Sequence, residues 1–221
     1  MADVIRPYCG QRILEIGSGT GNLTRRLVPR NLYVASDVNP LYLQTLRALT
    51  SDRPYLDVTL TDAAKGDSYP QVPGGFDTVV CLNVVGHLAD HRGALENIRR
   101  VLAPDGRAII LVPQGPAVLG SLDEVLGHER RYTAAQLRAV AAGAGFDVKE
   151  MLTFNRIGYP AWWLNGKLMK RRTFGLVQIL ALNLPTPIFR RIDKALPVPP
   201  LSLIAILTPR AGAAVAAGPC P

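Results

Sequence analysis

Apolar positions gather in short runs through the first two thirds of the chain: RILEI (12–16), LYVASD (32–37), YLDVTL (55–60), FDTVVCL (76–82) and RAIILVP (107–113). Short runs this rich in β-branched residues and poor in charge read as buried strands. Between them the spacing becomes helical, in NLTRRLVP, in PLYLQTLRALT with Pro40 at a helix start, and in DHRGALENIRRVLAPDG, which closes on a Pro-Asp-Gly turn. Beyond the fifth run, SLDEVLGHERRYTAAQLRAVAAGAGF predicts more helix, with Thr133 as an N-cap and Gly143 and Gly145 at its end. FDVKEMLTFN (146–155) reads as a sixth strand and LSLIAILT (201–208) as a seventh. Strands alternating with helices predict right-handed crossovers and a parallel sheet covered on both faces, a doubly wound α/β domain.

Composition changes this picture in one place. The 221 residues carry a net charge of +8, but eight of the 25 basic side chains lie between Arg156 and Pro200 against Asp193 alone, leaving 17 basic and 16 acidic groups elsewhere. The body of the chain is therefore nearly neutral. The chain divides into an α/β domain (1–155 and 201–209), a basic, apolar helical insert (156–200) and a small-residue tail (210–221) expected to be disordered. The N-terminal stretch MADVIRPYCGQ lacks the pattern of a signal peptide, so a cytoplasmic protein is expected. Cys9, Cys81 and Cys220 are scattered, which argues against a disulfide framework and a zinc site.

The candidate chemistry starts at the first strand-to-helix turn, ILEIGSGTGNLT (13–24). In open α/β sheets ligands bind beyond the carboxyl ends of the strands, and this turn is the usual cradle. Gly17, Gly19 and Gly21 are spaced G-x-G-x-G; a dinucleotide fingerprint needs glycine where Asn22 stands, and a phosphate P-loop needs Gly-Lys-Ser/Thr. Glu15 is a poor neighbour for a pyrophosphate but suits a ligand carrying an ammonium and a sulfonium. Asp37 ends the second strand, where a carboxylate accepts from both hydroxyls of a ribose. Asp62 follows the third strand, placed to accept from an adenine amine. Together they describe a nucleoside with an amino-acid tail.

These residues resemble the class I S-adenosylmethionine-dependent methyltransferases, in particular their small-molecule type 11/12 domains. Glu15 to Gly21, including Ser18, looks like the first motif, Asp37 with Val38 like the ribose-binding acid and its neighbour, and Asp62-Ala63 like the adenine-contacting pair. FDTVVCLNVVGHLAD and RRVLAPDGRAIILVP are similar to the fourth and fifth strands with their flanks, so the match runs over roughly 11 to 155 plus the last strand. The resemblance implies a seven-stranded sheet in the order 3-2-1-4-5-7-6 with the last strand antiparallel. It also implies S-adenosylmethionine as cofactor, S-adenosylhomocysteine as product, and in-line methyl transfer to an oxygen or nitrogen of a small molecule. Asn22 and Asn83 join the expected cofactor contacts.

Base candidates belong at the exits of the fourth and fifth strands: His87, then His128 and Tyr132 in LGHERRYT, with Arg130 and Arg131 able to hold an acidic substrate; His91 reads as helix surface. Many small-molecule relatives read N-V-L-E-H at strand four, and a quinone-pathway subgroup places metal-binding glutamates there. This chain has Asn83-Val84-Val85-Gly86-His87, so no metal is expected. EIGSGTGNLT is also similar to the rRNA adenine dimethylases, which would suit a basic protein. Their aromatic platform after strand four has no counterpart here, so nucleic acid is the alternative and a small acceptor the expectation. A module that binds the cofactor or its product without catalysis is a further alternative.

The insert joins Trp162, Trp163, Phe174 and Phe189 to KLMKRR and FRRIDK. Its apolar core FGLVQILALNL is eleven residues, short of the about 20 a spanning helix needs. Two roles fit it: a lid over a site that only about eleven N-terminal residues would otherwise cover, or a surface that meets an anionic membrane or a lipid-linked substrate.

Overall fold

The computed structural model of the chain describes residues 1–156, 158–168 and 196–210. A short helix α1 (Ala2–Ile5) precedes β1 (Arg12–Ile16), α2 (Thr24–Leu27), β2 (Leu32–Asp37), α3 (Pro40–Arg47), β3 (Leu56–Leu60) and β4 (Phe76–Leu82). There follow α4 (His91–Val101), β5 (Leu102–Pro113), α5 (Ser121–Leu126), α6 (Ala134–Gly143), β6 (Phe146–Phe154), α7 (Gly158–Trp162) and β7 (Ser202–Pro209). The strands form one sheet in the order β3-β2-β1-β4-β5-β7-β6. The first five run parallel, and β7 lies antiparallel between β5 and β6.

Alternation along each strand splits the core between the two faces of the sheet. Leu14, Ile16, Val79, Cys81, Ile110 and Val112 face Leu95, Ile98, Leu137 and Ala141 from α4 and α6. Ile13, Tyr33, Val80, Ile109 and Leu111 face Ile5, Leu27, Leu43 and Leu46 from α1, α2 and α3. Burying one such side chain contributes about 1.5–3 kcal/mol before entropy is counted, so both layers are needed to hold the sheet.

Local signals act as their chemistry dictates. Asn39 caps α3 by accepting from the Leu41 amide, with Pro40 in the first turn. Thr133 Oγ1 accepts from the Gln136 amide at 3.1 Å, while Gln136 Oε1 accepts from the Thr133 amide at 2.9 Å, a reciprocal capping box. The fifth strand starts earlier than the apolar run suggests. Leu102 already pairs with Phe76, and the ladder shifts register before resuming at Thr78 and Arg107, so the Pro-Asp-Gly stretch is an irregularity within β5.

Most of the basic insert, 169–195, and the tail 211–221 lie outside the described residues. Among the described residues no helix is long and apolar enough to cross a membrane.

Candidate functional site

The order of strands reverses at the boundary between β1 and β4, the switch point where doubly wound sheets leave a crevice at the strand ends. The glycine turn lies there. Gly17, Gly19 and Gly21 all have positive φ, at 75°, 54° and 76°. Their surroundings differ. A Cβ on Gly17 would stand 2.4 Å from Val84 Cγ2 and one on Gly21 2.8 Å from Leu49 Cδ1, whereas one on Gly19 would meet nothing within 4 Å. Two of the glycines admit close packing behind the turn, and the third faces open space in front of it.

Hydrogen bonds fix the turn against β2. The amides of Gly17 and Ser18 both donate to the Ser36 carbonyl at 2.9 Å, and Ser18 Oγ accepts from the Ser36 amide at 3.1 Å. The Gly19 amide donates to Asp37 Oδ2 at 2.9 Å, and the Asn39 amide donates to Oδ1 at the same distance. Asp37 is 7% exposed, its carboxylate set by these two amides at the mouth of the crevice. Asn22 and Val38 are exposed beside it.

Glu15 does not stand where a ligand-facing residue would. Strand alternation puts it on the same face as Ile13, under α2, and it is 3% exposed. Its Oε2 accepts from Thr24 Oγ1 at 2.6 Å and from the Tyr33 hydroxyl at 2.7 Å. Burial raises its pKa, against the pull of those hydroxyls. The carboxylate is thus a brace linking β1, β2 and α2 beneath the turn.

At the end of β3, Asp62 Oδ1 accepts from the Ala64 amide and Oδ2 pairs with Lys65 at 3.5 Å. Ala63 is buried, its carbonyl accepting from Tyr69 and Asn97. Thr61, between the two acids, is 2% exposed, and its hydroxyl has no hydrogen-bond partner among the described residues. The Thr61 amide donates to the Asp37 carbonyl at 3.4 Å, which ties the end of β3 to that of β2.

Across the switch point, Asn83 is exposed at φ 57°, an uncommon left-handed conformation for a residue with a side chain. The loop that follows is stitched to the one after β5. The Glu129 amide donates to the Gly86 carbonyl at 3.1 Å, His87 Nδ1 lies 2.7 Å from the Gly127 carbonyl, and Arg130 reaches the Leu88 and Ala89 carbonyls. The His87 and His128 rings stand 4.7 Å apart between centroids.

The hub of this region is Asp123 on α5, wholly buried. Its Oδ1 accepts from His128 Nδ1 and Arg131 Nε, both at 2.9 Å; its Oδ2 accepts from the Gly120 amide at 3.1 Å and Trp162 Nε1 at 3.2 Å. Burial alone would raise its pKa, but the hydrogen bonds from His128 and Arg131, the Arg131 charge and the Trp162 indole hold it down to about 2. The Arg131 guanidinium also lies 4.7 Å over the Trp162 ring.

Several sequence expectations change here. Tyr132 does not face the cleft: its backbone pairs with the end of β5 through Pro113 and Gly115, which turns its ring into the core, 3.5 Å by its hydroxyl from the Val85 carbonyl. Arg130 and Arg131 are committed to loop carbonyls and to Asp123, so neither is held out to an acidic substrate. His91 is more than helix surface, because its Nδ1 receives Arg130 at 2.6 Å. Trp162 and Trp163 separate, the first docked on Asp123 and the second 45% exposed. Asp123 itself went unnoticed in the sequence.

Residues 14–108 match the family model described as a methyltransferase domain. Over that stretch the chain is similar to methyltransferases. Over 131 residues it is 32% identical to an uncharacterized methyltransferase of Mycobacterium tuberculosis, covering 58% of this chain and 51% of that protein. It is 33% identical over 121 residues to a ubiquinone/menaquinone biosynthesis C-methyltransferase of Hahella chejuensis, covering 52% and 49%. The chain thus spans about half the length of these curated relatives. The YcgJ protein of Bacillus subtilis superposes with a TM-score of 0.65 at 17% identity, over 96% of this chain and 98% of that one. The match to the methyltransferase domain takes in the glycine turn, Asp37, Asp62, Asn83 and His87. It stops before Asp123 and His128.

Proposed function

We propose that the protein is an S-adenosylmethionine-dependent methyltransferase that moves a methyl group to an oxygen or nitrogen of a small molecule. The observation that carries the reading is the glycine turn, whose middle residue leaves open space in front of a backbone amide anchored to Asp37. Gly17, Ser18, Gly19, Gly21 and Asn22 form the cradle, with Glu15 bracing it from beneath. Asp37 and Val38 take the ribose and the adenine edge, Asp62 and Ala63 take the base, and Asn83 closes the crevice on the β4 side.

The cofactor supplies an already activated methyl group, so the chain's work is alignment and exclusion of water. The acceptor lies beyond the exits of β4 and β5, beside His87 and His128. Incubation with methyl-labelled S-adenosylmethionine and a mixed metabolite pool tests this: label in any small acceptor supports the reading. Cofactor binding with no label transferred would instead make the protein a binding module.

We also read the face formed by α5 and residues 163–168, which pack together, as the approach for an apolar acceptor or a membrane surface. Val125, Leu126, Trp163 and Leu164 are exposed there, and the sequence continues into KLMKRR.

A further inference from the structure

The two histidines at the acceptor side are held by partners that only accept hydrogen bonds. His87 Nδ1 lies against the Gly127 carbonyl at 2.7 Å, and His128 Nδ1 against a carboxylate oxygen at 2.9 Å. In the neutral form each ring therefore carries its proton on Nδ1 and leaves Nε2 as a bare lone pair. Neither Nε2 has a hydrogen-bond partner among the described residues. His91 is the opposite case: Arg130 donates to its Nδ1, so its proton sits on Nε2.

His128 is distinguished from His87 by what lies behind it. The Asp123 side chain accepts from its ring, and the Asp123 carbonyl accepts from its backbone amide at 2.9 Å, so both ends of His128 are fixed to one residue. Gly127, at φ 71°, ends α5 and makes that return possible. Arg131, the Gly120 amide and the Trp162 indole occupy the rest of the carboxylate and hold it in place. A buried anion behind an imidazole stabilises the imidazolium formed when the ring takes a proton; a carbonyl does so far less.

We propose that Asp123 and His128 form a carboxylate–imidazole couple that serves as the general base for the acceptor, with His128 Nε2 the proton-accepting atom and Asp123 the positioning residue. The inference rests on the methyl-transfer reading above. The acceptor's O–H or N–H bond breaks, its proton passes to Nε2, and the electron pair left on the acceptor would form the new bond to the methyl group as the methyl–sulfur bond breaks, its pair staying on the sulfur of the S-adenosylhomocysteine that leaves. The proton later leaves the imidazolium to water, which restores the couple. Trp162 shields the outer oxygen of the carboxylate.

Long-range proton–nitrogen spectra of protein labelled with 15N-histidine test the couple without cofactor or turnover. With three histidines in the chain, two Nδ1–H tautomers and one Nε2–H tautomer are expected, and the signals that Asp123→Asn displaces are those of His128. His128 with its proton on Nε2 in the wild type would overturn the proposal. Asp123→Asn disturbs a buried ion pair, so His128→Asn is the second variant, its amide still able to donate to Asp123. It should melt near the wild type, bind S-adenosylhomocysteine as tightly, and transfer label about 10²–10⁴-fold more slowly through kcat with KM little changed. Transfer at the wild-type rate would also overturn it. Absence of any heat with S-adenosylhomocysteine in the wild type would strike the methyl-transfer reading instead, and the tautomer count would stand.

Discussion

Gly19→Ala separates folding from ligand binding. A left-handed backbone costs a residue with a Cβ about 1–2 kcal/mol, and the methyl group added at Gly19 meets nothing within 4 Å. Stability should fall by that amount only, roughly 2–8 °C in Tm for a chain of this size. Gly17→Ala pays the same backbone cost and also drives its methyl to 2.4 Å from Val84, an overpacking worth about 1–3 kcal/mol more. The two variants therefore rank clearly in urea denaturation, with Gly17→Ala the less stable. In calorimetry the order of interest is different. The methyl added at Gly19 takes space that the ligand's tail needs, so S-adenosylhomocysteine should bind at least about tenfold more weakly, a loss of about 1.4 kcal/mol, to a protein that remains folded. Wild-type affinity in Gly19→Ala would refute the reasoning, as would a stability loss as large as that of Gly17→Ala.

Glu15, whose folded pKa burial lifts above its ordinary value of 4.5, binds more protons in the folded than in the unfolded chain between those two values. Wild-type stability relative to Glu15→Gln should then fall as pH rises from 4.5 through the folded pKa and level off above it; denaturation curves over that range that show the gap widening in favour of the wild type would refute the burial argument. For the apolar approach, Trp163→Ala should lower co-sedimentation with anionic liposomes, since Trp163 is 45% exposed on that face, and sedimentation equal to the wild type would remove that surface from the account.

The sheet was legible because its strands are uninterrupted apolar runs, and β1, β2 and β4 begin and end where those runs do. The fifth strand was not, because a turn sequence sits inside it as a register shift, which no local propensity announces. The glycine turn and its place beside Asp37 were readable for a similar reason: three glycines in five positions and an acid at a strand end are local facts. Glu15 was misassigned although its face could have been read from Ile13 two residues earlier, whose parity it shares. Tyr132, Arg130 and Arg131 stand in one short segment, and only the pairing of that segment with the end of β5 decides which side chains turn inward. Asp123 carries no motif. Its importance arises from four donors that arrive from Gly120, His128, Arg131 and Trp162, and the last of these comes from a distant part of the chain.

The central claim is that the Gly17–Gly21 turn and Asp37 together hold S-adenosylmethionine and its product. Calorimetric titration of S-adenosylhomocysteine into the wild type and into Asp37→Ala measures this most directly. The account predicts one binding site in the wild type and a loss of tenfold or more in the variant, about 1.4 kcal/mol or above. No heat in the wild type, or the same affinity in both proteins, would contradict it.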